Sequence, residues 1–332
     1  MCKKILFIEK DERKMKFKKI IAMMAVILTL AASAPTVFAT TESTGMISQT
    51  QIAVDNEDVK SEENILIETN LQTGEEKKVV VSPLKKQERE YYDPNLIEID
   101  EKSNLLDETS SNPLAVGNDD LVLAQVYPLK GICYLSITFS GNDTRQATGF
   151  IVGTHTVVTS GHCLDHKELG KPIKVDVIPY KNGTNEPYGT FSTTKMAVPV
   201  KWSQGRNNQY DYGIITVNAN IQEATGGNKL NYKAIKPDSM INKEQQVQGY
   251  PSGKAKIAQY TTTGKIVGIN NGLLLLDKKT IPSMSGSPMF TPQSKGIRTA
   301  TGILTGEYEA VGLTAIVPIT EEIYDAISLY AK

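Results

Sequence analysis

Thr156-Val157-Val158-Thr159-Ser160-Gly161-His162-Cys163 is the stretch on which the fold assignment turns. Four β-branched residues in a row read as a short strand, and that strand delivers an imidazole to the turn that follows it. Similar runs surround it. Ile132–Phe139 alternates and ends in the turn residues Ser140-Gly141-Asn142-Asp143, and 149–152, 173–178, 213–217, 246–250, 265–269, 273–276, 301–304 and 311–317 repeat the pattern. Strands at this density, with no helices between them, predict an all-β antiparallel body, and about 218 residues of it predict two packed β-barrels. One helix is predicted, at the end of the chain. Thr320 is placed to cap it, Glu321 and Glu322 favour the positive end of its dipole, and Ile323, Ala326, Ile327 and Tyr330 form one face.

A histidine at a strand end becomes chemically interesting beside a nucleophile. Ser283-Met284-Ser285-Gly286-Ser287-Pro288 sets a serine in a tight turn where glycine lets the backbone bend and successive amides converge on one point. The base then needs a carboxylate to orient it, and Asp211 in Tyr210-Asp211-Tyr212-Gly213-Ile214-Ile215 stands at the edge of an apolar strand. Burying that charge is costly without a partner. Taken singly, each residue has an ordinary structural explanation. Their chain order, His then Asp then Ser, is one of the three known orders of the nucleophile–base–acid constellation. His155 and His166, in more polar settings, are assigned to the surface.

The 36 basic and 37 acidic residues nearly cancel, which argues against nucleic-acid binding driven by overall positive charge. The balance is uneven along the chain: residues 40–114 hold 17 acidic and 7 basic residues, and residues 115–332 hold 17 and 21. Before them, Lys14, Lys16, Lys18 and Lys19 precede the apolar run 20–30 and the small residues ending at Ala39, so residues 1–39 read as a secretory signal cleaved after Ala39 and the protein as secreted. The run is too short for a stable membrane anchor. Residues 40–114 read as an acidic propeptide, largely disordered, and 115–332 as the folded domain. Three cysteines and three histidines show no paired metal-ligand spacing, so no metal and no cofactor is expected. With Cys2 lost in the signal, Cys133 and Cys163 are the candidates for a single disulfide.

Gly149-Phe150-Ile151-Val152-Gly153, Thr159–Cys163, Tyr210–Gly213 and Ser285–Pro288 together resemble the glutamyl endopeptidases, secreted bacterial serine proteases of chymotrypsin-like fold. The resemblance runs from about Val116 to Ala331 and leaves the acidic leader as a propeptide, removed near Asn112–Ala115 by another protease or by self-processing. It implies that His162 is the general base, Asp211 its orienting carboxylate and Ser285 the nucleophile, with the amides of Ser283 and Ser285 as an oxyanion hole. Protein or peptide substrates follow from it.

The chain departs from that family at three places. Ser283 stands where the family has glycine, and a left-handed backbone costs a non-glycine residue on the order of 1 kcal/mol. Leu304 stands where the family has a substrate-binding histidine, whereas Thr280 matches the family's pocket threonine and Lys279 can supply positive charge. Ala147 stands where bacillary members have a cysteine, so a Cys133–Cys163 bridge requires its own strand register; with the hairpin turning at Gly141-Asn142, Cys133 falls opposite Phe150. The expectation is a zymogen of a serine endopeptidase with a weakened acidic preference. Its rival is a secreted protein that keeps the fold without turnover.

Overall fold

The computed structural model describes residues 64–94, 122–123, 129–292, 298–308 and 312–331. The expected signal sequence, the part of the expected propeptide up to residue 63 and the mature-like start at 116–120 lie outside them. In chain order the strands are β1 (Ile65–Asn70), β2 (Glu76–Val80), β3 (Val122–Leu123), β4 (Ile132–Thr138), β5 (Thr144–Ile151), β6 (Thr156–Thr159), β7 (Lys174–Pro179), β8 (Phe191–Pro199), β9 (Gly213–Val217), β10 (Asn231–Tyr232), β11 (Glu244–Gly249), β12 (Tyr260–Asn270), β13 (Leu273–Leu276), β14 (Pro288–Phe290), β15 (Thr299–Ala300), β16 (Gly302–Tyr308) and β17 (Leu313–Pro318).

Two closed antiparallel barrels result. The first runs β4-β5-β6-β9-β8-β7 and closes where β7 returns to β4; the second runs β11-β14-β16-β17-β13-β12 and closes on β11. Each carries its own core. Leu135, Ile137, Ile151, Val157, Val177 and Ile215 fill the first, and Val247, Ile266, Leu274, Leu276, Met289 and Ile316 the second. A third cluster joins them, in which Phe150, Tyr212, Tyr250 and Phe290 meet Ile323 and Ile327 of the C-terminal helix Glu321–Tyr330. Thr320 holds the N-cap position of that helix without a side-chain bond.

The β4–β5 hairpin turns about Gly141, whose φ of 78° suits glycine, so Cys133 faces Gly149 and Ile132 faces Phe150. The turn is thus centred on a residue, not between two, and the register differs by one from the expected pairing. Ala147 lies opposite Leu135, about 7 Å along β4 from Cys133. Cys133 and Cys163 are both buried free thiols, and the anticipated bridge is absent between them.

The leader also departs from expectation. Residues 64–94, taken as disordered from their composition, contribute the hairpin β1–β2, and β1 pairs with β8 over Leu66↔Pro199 through Asn70↔Lys195. Leu66 is fully buried and Val81 nearly so. The physical reason is that a few apolar residues, Ile65-Leu66-Ile67 and Val79-Val80-Val81, suffice when an existing sheet supplies the other half of every hydrogen bond. All described residues fall in one compact unit, Lys60–Lys332.

Candidate active site

The first barrel supplies His162 and Asp211, the expected base and its orienting carboxylate. After β6, Ser160 hydroxyl donates to the Leu304 carbonyl at 2.6 Å, and the short helix Gly161–Leu164 begins, presenting His162 at the barrel rim. Asp211, in the turn before β9, is 2% exposed. Its Oδ1 accepts the His162 backbone N–H at 2.7 Å, and its Oδ2 lies 2.8 Å from His162 Nδ1. A carboxylate can only accept, so Nδ1 carries a proton, and in the neutral ring Nε2 keeps the lone pair. Thr305 hydroxyl donates to the same Oδ2 from β16 of the second barrel. Three donors therefore compensate a charge whose burial would otherwise be prohibitive. Burial of the ring opposes its protonation, but the Asp211 carboxylate outweighs that and holds the His162 pKa well above the ordinary 6.5. Trp202 packs edge-on behind the imidazole, with ring centroids 6.4 Å apart.

The second barrel supplies the serine. Gly286 has φ 84°, and a Cβ there would stand 2.1 Å from the Thr148 carbonyl oxygen, so the turn admits only glycine. Gly286 N–H donates within the second barrel to Leu304 O at 2.8 Å, and Thr148 of β5 knits the two barrels together, its N–H donating to Ser285 O at 2.9 Å and its hydroxyl to Ser283 O at 3.2 Å. Ser283 adopts φ 75°, the left-handed conformation the family's glycine would take freely. The Pro282 carbonyl in front of it accepts from Ser252 twice, from the amide at 2.9 Å and the hydroxyl at 3.0 Å. In a trans peptide C=O and N–H point in opposite directions, so these bonds turn the Ser283 N–H to the side away from Ser252.

His162, Ser283 and Ser285 line one cleft of about 600 Å³ with Tyr134, Arg145 and Pro282. The sequence-predicted base, acid and nucleophile are thus brought together. His166, assigned to the surface, also lines this cleft, while His155 is exposed. The three predicted pocket residues separate. Thr280 is buried with Oγ1 3.2 Å from Thr314 Oγ1, Leu304 is packed into the second barrel's core, and Lys279 is exposed with Nζ 3.8 Å from Glu307 Oε1. Thr305, Thr148, Ser252 and Glu307 were not singled out from sequence; only Thr305, next to the Leu304 position, carried a positional signal. Among the described residues no group of His, Cys, Asp and Glu is arranged to hold a metal ion, and none of the helices is long and apolar enough to cross a membrane.

A family profile described as Trypsin matches residues 122–317, more than half of the chain. The chain belongs to the trypsin family of serine proteases. Among curated relatives, this trypsin-family chain is 28% identical over 223 residues to a glutamyl endopeptidase of Bacillus licheniformis, covering 64% of this chain and 67% of that one. It is also 28% identical over 207 residues to a Bacillus subtilis protein named extracellular metalloprotease, covering 62% and 65%. The chain therefore spans about two thirds of the length of these relatives. A solved structure of Glu endopeptidase in complex with MPD shares the fold with a TM-score of 0.57 at 22% identity, covering 66% of this chain and 99% of that one. The protease Anisep from Arthrobacter nicotinovorans superposes with a TM-score of 0.52 at 18% identity, over 61% and 97%.

Proposed function

We propose that the protein is a secreted serine endopeptidase, made as a zymogen, in which His162, Asp211 and Ser285 form the catalytic triad. The observation that carries this is the buried Asp211, bonded to both the backbone and Nδ1 of His162 at the rim of the cleft that Ser285 also lines. With Nδ1–H fixed on the carboxylate, Nε2 takes the proton from Ser285 Oγ as Oγ attacks a peptide carbonyl carbon. The carbonyl electrons move to oxygen, and the Ser283 and Ser285 amides stabilise that oxyanion. His162 then gives the proton to the leaving amine, the C–N bond breaks, and water repeats the steps on the acyl-enzyme. The left-handed Ser283, held in front by Ser252, supports a formed oxyanion hole despite the missing glycine, and so supports the enzyme over a binding protein without turnover.

Substrate preference follows from the pairing of Lys279, the candidate cation for an acidic side chain. Binding glutamate through it requires drawing Lys279 away from Glu307, so we assign a weakened preference for glutamate over uncharged residues. Cleavage of the chain near Asn112–Ala115 generates the mature form. The test compares the secreted protein with Ser285→Ala on a peptide library, with N-terminal sequencing of each. Hydrolysis lost in the variant and a new terminus near Ala115 are expected. Hydrolysis retained by the variant overturns the triad, and active material with no terminus near Ala115 overturns the zymogen reading.

A further inference from the structure

We infer that the edge of β8 and the C-terminal helix form a docking surface for the chain's own residues 64–92, and that this segment stays bound as a separate chain after the leader is cut. The inference rests on the processing reading above. In the first barrel, β7 pairs with only the start of one β8 edge, at Ser192 and Phe191, so Lys195–Pro199 would present unpaired backbone groups on that side. β1 covers them, and an open edge of this kind is otherwise a site of aggregation. The segment then crosses to the C-terminal helix. Arg89 donates from Nε to Asp325 Oδ1 at 2.7 Å and from Nη2 to Oδ2 at 2.6 Å, and from Nη1 to Glu321 at 3.0 Å.

Further contacts fix the direction of the segment on this surface. Leu84 N–H donates to Asp325 at 3.2 Å and Tyr91 hydroxyl to Glu321 at 2.8 Å, while Tyr92 N–H donates to the Ala234 carbonyl at 2.9 Å and Ala234 N–H to the Glu90 carbonyl at 2.8 Å. Asp325 is 4% exposed, so losing its guanidinium would strand a buried charge. None of the residues lining the catalytic cleft belongs to 64–94. The segment also precedes the family match, which begins at 122. Substrate access therefore does not require it to leave, and a cut at 112–115 breaks none of these contacts.

The experiment places a recognition site for a sequence-specific protease between Asn112 and Pro113 of the full chain, in the Ser285→Ala background to prevent self-digestion. After cutting, size-exclusion chromatography is followed by denaturing electrophoresis of each fraction. Co-elution of both fragments is expected, with release of the smaller one when Arg89→Ala is cut in the same way. Elution of the body without the fragment, or equal retention with and without Arg89, overturns the inference. Whether cutting raises hydrolysis, measured with Ser285 intact, judges the processing reading separately.

Discussion

Asp211 and Asp325 are two buried carboxylates, at 2% and 4% exposure, and each accepts three hydrogen bonds that include a backbone amide. Their partners set their roles. Asp211 faces an imidazole, a group able to gain and lose a proton, whose pKa is held well above 6.5, whereas Asp325 faces a guanidinium whose pKa the carboxylate raises further beyond reach. On the proposed mechanism, the same burial that prepares proton transfer in one place makes a permanent clasp in the other. A buried carboxylate is therefore informative about function only together with what faces it.

The largest expected effect separates the two directly. Asp211→Asn should lower kcat by about 10⁴-fold, because the amide favours the wrong imidazole tautomer, with little loss of fold. Asp325→Asn should leave the steady-state rate of the folded enzyme nearly unchanged and lower unfolding stability by about 3 kcal/mol in denaturant titration, since it breaks one side of a buried pair. If Asp325→Asn instead abolishes turnover in folded protein, the distinction fails.

A pH titration sharpens the comparison. The base must be neutral to act, so kcat/KM should rise with pH through a midpoint above 6.5, and that midpoint should fall in Asp211→Asn. The sign for stability is opposite. His162 binds its proton more tightly folded than unfolded, so its contribution is complete below about pH 6.5 and is lost as pH rises through the folded value. The Arg89 clasp should show no such loss in that window.

Thr305→Ala should lower kcat roughly tenfold with KM little changed, and Thr305→Ser should restore it, because one hydrogen bond to the Asp211 carboxylate is worth about 1.5 kcal/mol. The smallest effect concerns specificity. Glu307→Gln frees Lys279 and should raise the ratio of cleavage after glutamate to cleavage after glutamine by a few-fold, while Lys279→Ala should lower it. No change in either variant removes Lys279 from substrate selection.

The barrels, and the meeting of His162 with Asp211 beside the cleft that Ser285 lines, were legible because their signals are local: β-branched runs between turns, and three residue types in a known order. The strand β8 was not, since Phe191-Ser192-Thr193-Thr194-Lys195 mixes polar residues that face neighbouring strands. The hairpin β1–β2 was hidden by the charges around it, although Ile65-Leu66-Ile67 and the Asn70–Gly74 turn carried a signal; Asn70 Oδ1 accepts from Gln72 and Thr73, and Gly74 takes φ 72°. Asp325 carries no signal in the sequence, because its partner Arg89 lies 236 residues away. Leu304 was read as a pocket wall from alignment position alone, but its side chain packs inward and its carbonyl accepts from Ser160 and Gly286.

Labelling with a fluorophosphonate, which reacts only with a serine activated by its own base and oxyanion site, tests the central assignment most directly. Mass mapping of the processed protein should find one adduct, on the peptide containing Ser285, forming faster as pH rises above 6.5 and absent in His162→Ala. Folded protein that takes up no label, or takes it at another serine, would contradict the assignment of His162, Asp211 and Ser285.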